Sequence, residues 1–137
     1  MAEDRLNEQL KIMMEKAERS LHAAQSLLEN GNFDFSSSRS YYSAFYTIQA
    51  LLLTKNYVYS KHSGVIAGFS EHFIRKEIFP ARFAKYISRL FRERHIGDYD
   101  YTSIISREDA EKDYKIAMEI VSAVKKYLIE QGFAGNN

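Results

Sequence analysis

Seven basic side chains crowd one stretch of this chain. Between Arg75 and His95 stand Arg75, Lys76, Arg82, Lys85, Arg89, Arg92 and Arg94 against only Glu77 and Glu93, a net +5, whereas residues 1–34 carry a net −3. At 100° per residue, a helix through the basic stretch places Arg82, Lys85, Arg89 and Arg92 on one outward face, with Phe83, Ile87 and Leu90 opposite. Two readings fit that stripe: a solvated helix face, or an electrostatic footprint for the phosphates of a nucleotide or RNA. Arg94 falls instead on the continuation of the apolar line. A guanidinium there must be paired, stacked on a ring or kept at a wet cleft, or else it snorkels toward the last carbonyls of its helix.

Other groups could join it. Arg39 has Tyr42, Ser43 and Tyr46 at i+3, i+4 and i+7, which suits either a structural cation–π pair or a cleft shared with Arg94. Lys61, His62 and Ser63 precede a helix whose first N–H groups lack partners, so they suit phosphate contact, and Ser60 or Ser63 suits capping. Asp98 and Asp100 flank Tyr99 and suit a turn cap or an arginine partner better than a metal pair. His22 and His72 read as surface or boundary residues. No Glu-x-x-His spacing occurs on a helix, which removes the diiron bundles, and no metal site is expected.

The elements that must position these groups are helical. One proline, six glycines and long stretches of 3.6-residue periodicity predict an all-α fold, an up-and-down bundle of four to five helices. The first helix is predicted from about Asp4 to Asn30, with Leu6, Leu10, Met13, Ala17, Leu21, Ala24 and Leu28 inward and Gly31 as its stop. The second, roughly Phe35 to Lys55, is apolar almost all round from Tyr41 onward and must be central. A third is expected over Ser63 to Glu77, with Gly64 and Gly68 admitting another backbone. Pro80 opens a fourth, which reaches about His95 and stops at Gly97. The fifth opens at Ser106, with Asp109 three residues on as in a capping box, and buries Ala110, Tyr114, Ala117, Val124 and Leu128.

Composition sets outer limits. The chain has 137 residues, 19 Lys plus Arg against 18 Asp plus Glu, and no cysteine. That length suits a single domain, residues 1–137, with its own core. Without cysteine there are no disulfides, Cys-bound zinc, iron–sulfur clusters or thiol nucleophiles. A cytoplasmic protein without a membrane span is the expectation. A near-zero total charge excludes a globally cationic nucleic-acid binder.

Three segments in order, SSSRSYYSAFYTIQALLLTKNY, KHSGVIAGFSEHF and RHIGDYDY, resemble the HEPN domain family of prokaryotes. The likeness runs from Ala17 to Leu128. It implies a compact, usually dimeric helical bundle, often the partner of a small MNT-type nucleotidyltransferase in a two-gene toxin–antitoxin pair. Many HEPN proteins are metal-independent ribonucleases that pair two copies of an R-x(4–6)-H motif across a dimer cleft.

On this chain Arg94 matches the motif arginine, His-Ile-Gly-Asp fills the spacer, and Tyr99 stands where the ribonucleases have histidine, with Tyr101 two residues later. His95 is out of register. The resemblance thus implies candidate reacting groups in Arg94, Tyr99 and Tyr101, a homodimer and no cofactor; with the charge and helix positions read above, the candidate nucleotide- or RNA-binding groups are Arg39, Lys61, His62, Arg82, Lys85, Arg89, Arg92 and His95. Metal-free RNA cleavage needs a base, an acid and a cation. Arginine serves as the cation, but tyrosine, with an ordinary pKa of about 10, is a poor base at neutral pH. Binding without vigorous cleavage is therefore expected. The competing expectation is a non-catalytic helical dimer whose tyrosine-rich surface binds a partner protein.

Overall fold

A computed structural model describes residues 2–100, 102 and 104–133. Among them are five α-helices and no strand: α1 (Ala2–Glu29), α2 (Phe33–Leu53), α3 (His62–Phe69), α4 (Arg82–Tyr99) and α5 (Arg107–Glu130). None is long and apolar enough to cross a membrane. The expected all-α bundle is what forms, and α2 is its centre, packed on α1, α4, α5 and α3. Leu10, Ile48, Leu51, Phe69, Phe83, Leu90, Ile120 and Leu128 are fully buried around it. Each such side chain contributes roughly 1.5–3 kcal/mol of apolar transfer.

Small residues and hydroxyls set the α1–α2 contact. Ser36 Oγ donates to the Ala24 carbonyl at 2.7 Å, Ser43 Oγ to that of Ala17 at 2.8 Å, and Ser20 Oγ to that of Arg39 at 2.8 Å. Periodicity counted only the apolar half of α2. Its serine-rich start is equally buried, because short side chains let two backbones approach; the hydroxyls of Ser36, Ser37 and Ser43 find acceptors, while that of Ser40 makes no hydrogen bond. Gly31 ends α1 at φ +83°, as its sequence position predicts. At α5 the Ser106 hydroxyl accepts from the Asp109 N–H at 3.1 Å, the expected cap.

Four expectations are corrected. The third helix runs only to Phe69 and continues as a π-turn over Ser70–Ile74, which keeps Phe73 buried beside Phe69 and Phe79. Neither Ser60 nor Ser63 caps it; Lys61 holds the N-cap position with no side-chain bond. Gly64 and Gly68 face the Tyr59 ring rather than another backbone, and a Cβ on Gly68 would lie 2.6 Å from it. Finally, α4 does not stop at Gly97 but carries on to Tyr99.

Gly97 is there for contact. A Cβ at that position would lie 2.9 Å from the Asp34 carbonyl oxygen at the start of α2. Gly97→Ala gains about 1 kcal/mol of helix propensity but must push two backbones apart, at about 1–3 kcal/mol. The expected outcome is a net loss of about 1 kcal/mol, read as a lower denaturant midpoint at unchanged slope.

Candidate functional site

Arg94 is the centre of the site. Its side chain is 14% exposed and lies within 5.5 Å of the Tyr42 ring centroid, 5.6 Å of Tyr41 and 5.5 Å of Tyr99. Nη2 donates to the Tyr42 hydroxyl at 2.9 Å. Nε is sealed from solvent and makes no hydrogen bond, although Asp98 Oδ2 stands 3.3 Å away as an ion pair. The inner-line placement deduced from helical phase is thus realised, and stacking and pairing both satisfy the buried charge. A desolvated cation over aromatic faces is held more strongly than an exposed one.

Residues from two other helices gather here. Arg39, on α2, lies over the Tyr42 ring at 4.8 Å, the cation–π arrangement its spacing suggests. His62, the first residue of α3, stacks on Phe45 at 4.0 Å, and its Nδ1 is 2.7 Å from the Tyr41 hydroxyl. Burial, and secondarily the Arg94 guanidinium, lowers the His62 pKa below the ordinary imidazole value. Burial also holds the Tyr41 phenol well above the usual range, so it stays protonated. His95 is exposed and tilts against the Tyr99 ring at 5.2 Å. Lys61 is exposed beside His62. Tyr101 lies outside the described residues. Asp100 accepts from the Thr102 N–H at 3.1 Å, capping a turn.

The basic stripe does not hold together as four outward cations. Arg82 is tied to Glu119 on α5. Arg89 turns inward: Nε donates to Asp113 Oδ1 at 2.8 Å, and Nη2 lies 3.4 Å from Asp109 and 3.5 Å from Glu93. Its stripe position on a helical wheel is overridden because α5 presents a fully buried carboxylate to α4. Lys85 and Arg92 remain exposed.

Asp113 was the residue that sequence reasoning missed. It occupies the inner stripe of α5 between Ala110 and Ala117, in place of the expected Tyr114, which is only half-buried. A carboxylate on an apolar stripe was the available signal. Its Oδ2 accepts from Ser37 Oγ at 2.8 Å, and burial pushes its carboxyl up to about 6 despite Ser37 and Arg89.

Chemically, the Arg94 site offers a fixed cation, aromatic faces and an imidazole, the groups that grip phosphate and stack bases. No cluster of three or more His, Asp or Glu suited to a metal occurs among the described residues. A helical bundle with an arginine caged by tyrosines at the end of its fourth helix defines the class.

The particular family follows from comparison. The HEPN domain matches residues 10–127, and the chain belongs to the HEPN family. It is 39% identical over 127 residues to a candidate toxin of Methanocaldococcus jannaschii, covering 93% of this chain and 86% of the relative. A UPF0332 protein of Thermotoga maritima is 32% identical over 126 residues, with 90% and 96% covered. The crystal structure of an archaeal HEPN homologue superposes with a TM-score of 0.71 at 18% identity, over 87% of this chain and 97% of that one, a likeness of fold.

Proposed function

We propose that this protein is the toxin-like member of a two-gene pair, a single cytoplasmic HEPN domain over residues 1–137 that binds RNA or a nucleotide at Arg94, acts as a homodimer and is countered by an MNT-type nucleotidyltransferase. The observation that carries the reading is the Arg94 guanidinium, a largely buried cation held against three tyrosine rings, of which Tyr99 is exposed.

The binding reading is stronger than the ribonuclease one. Tyr99, 62% exposed, is placed to stack on a base, and the motif register supplies no histidine to take a 2′-hydroxyl proton. The apolar groove between α3 and α4, about 340 Å³ and lined by Ile66, Ile87 and Phe91, adjoins the site and is the face on which we place the second copy. Gly64 and Gly68 are not open to that second copy, since the Tyr59 ring packs against both. The relative named as a candidate toxin supports the toxin side.

The competing interaction-module reading draws on Asp98 and Tyr42, which already partner Arg94. Expression tests decide between them. The chain alone is expected to slow host growth, Arg94→Ala to relieve it, and coexpression with the MNT-type nucleotidyltransferase to relieve it and yield a copurifying complex. Unimpaired growth with the wild-type chain rules out the toxin reading.

A further inference from the structure

We infer that His62 is a second ligand-binding group of the Arg94 site, an imidazole locked by Tyr41 in the tautomer that carries its proton on Nε2, so that it donates a hydrogen bond to an oxygen of the bound polyanion and accepts no proton from it. The inference rests on the binding function proposed above and adds to it the role of the imidazole.

Geometry fixes the tautomer. The Tyr41 side chain is fully buried, and among the described residues its hydroxyl meets only His62 Nδ1, at 2.7 Å. A protonated phenol has one hydrogen to place. If Nδ1 were the donor, that hydrogen would have no acceptor inside the protein, an expensive outcome for a buried hydroxyl. The Tyr41 O–H therefore donates to Nδ1, and a neutral imidazole with an occupied Nδ1 lone pair carries its proton on Nε2.

The imidazolium is disfavoured by the same surroundings. It would place a hydrogen on Nδ1 facing the Tyr41 hydrogen, and it would sit near the Arg94 cation, which flanks the same two tyrosines: His62 lies 5.8 Å from the Tyr41 centroid and 6.1 Å from that of Tyr42. The ring cannot swing away, because Phe45 stacks on it at 4.0 Å with an interplanar angle of 20°.

Nε2 is the free end. It has no hydrogen-bond partner among the described residues and is not one of the sealed unpaired atoms, so in this half-buried ring it is the end that a ligand oxygen can reach. A cation and a neutral N–H donor around two tyrosines recognise phosphate and other anionic oxygens. In that form His62 is no base for transesterification, which adds a cause for binding without cleavage beyond the identity of residue 99.

The test has a spectroscopic arm and a binding arm on the full chain. In nitrogen-15 spectra at neutral pH, with His62 assigned by loss of its signals in His62→Gln, Nδ1 is expected to be unprotonated and Nε2 protonated. Tyr41→Phe should shift His62 toward mixed tautomers. With a short single-stranded RNA as probe, His62→Ala is expected to weaken binding roughly 3- to 10-fold, the worth of one neutral hydrogen bond, and His62→Gln, whose amide places a donor near Nε2, to recover most of it. A protonated Nδ1 overturns the inference, as does His62→Gln binding no better than His62→Ala, or His62→Ala binding like wild type while Arg94→Ala does not. If the wild type shows no Arg94-dependent RNA binding, the proposed function fails, and the ligand contact with it, even where the spectra show the Nε2 tautomer.

Discussion

Arg94→Ala is expected to weaken RNA or nucleotide binding by roughly 10- to 100-fold, the equivalent of the about 1.5–3 kcal/mol that hydrogen bonds to a charged group carry. Stability should change by less, within about 1 kcal/mol, because the groups left behind, the Tyr42 hydroxyl and the Asp98 carboxylate, can turn to water at the cleft edge. The measurement is a binding isotherm at two salt concentrations beside a denaturant melt. Lys85→Gln with Arg92→Gln supplies the contrast. Those exposed cations act through counterion release, so their loss should lower the salt slope by about 0.7–0.9 per phosphate contact, with little dependence on which RNA is used. If Arg94→Ala leaves affinity intact and lowers the unfolding midpoint, the arginine is structural and the partner-binding reading stands.

Asp113→Ala is expected to have the largest effect on stability, a loss of about 3–5 kcal/mol, as when one member of a buried ion pair is removed. It would leave Arg89 with only Asp109 and Glu93 at 3.4 and 3.5 Å, and Ser37 Oγ without its acceptor. Asp113→Asn keeps the shape and isolates the charge. Burial raises the wild-type carboxyl to about 6, above the unfolded value of about 3.9, so the folded state holds the proton more tightly. The contribution of Asp113 to stability is therefore fullest below about pH 4 and declines by roughly 3 kcal/mol as pH rises to about 6. Unfolding titrations from pH 4 to 7 should show that decline in wild type and its absence in Asp113→Asn. Equal slopes would show that Arg89 fully offsets the burial of the carboxylate.

The same network positions the site. Glu93, buried beside Arg94 in sequence, pairs with Arg89, which Asp113 anchors to α5 and, through Ser37, to α2. The rotation of α4 that turns Arg94 onto Tyr41 and Tyr42 is thus held by contacts one turn earlier.

What was legible in the sequence was local. The stripe of α1, the stop at Gly31, the cap of Ser106 on Asp109 and the inward phase of Arg94 all depend on residues within a few positions of one another, where helical period and backbone preference act directly. Even Arg39 over Tyr42 is an i,i+3 relation on one helix.

Tertiary structure decided what depends on residues far apart in the chain. His62 reaches Tyr41 and the neighbourhood of Arg94 only because α3 packs on α2, and Ser37 meets Asp113 across 76 positions. Gly97 reads locally as a helix stop, yet the helix carries past it in close contact with the Asp34 carbonyl and the Ile105 side chain, since a glycine interior to a helix costs less than losing that packing. Arg89 shows the same physics in charge: its side of the helix was set by period, but its direction was set by the one carboxylate that α5 buries against it, because a desolvated anion draws the nearest cation more strongly than water does.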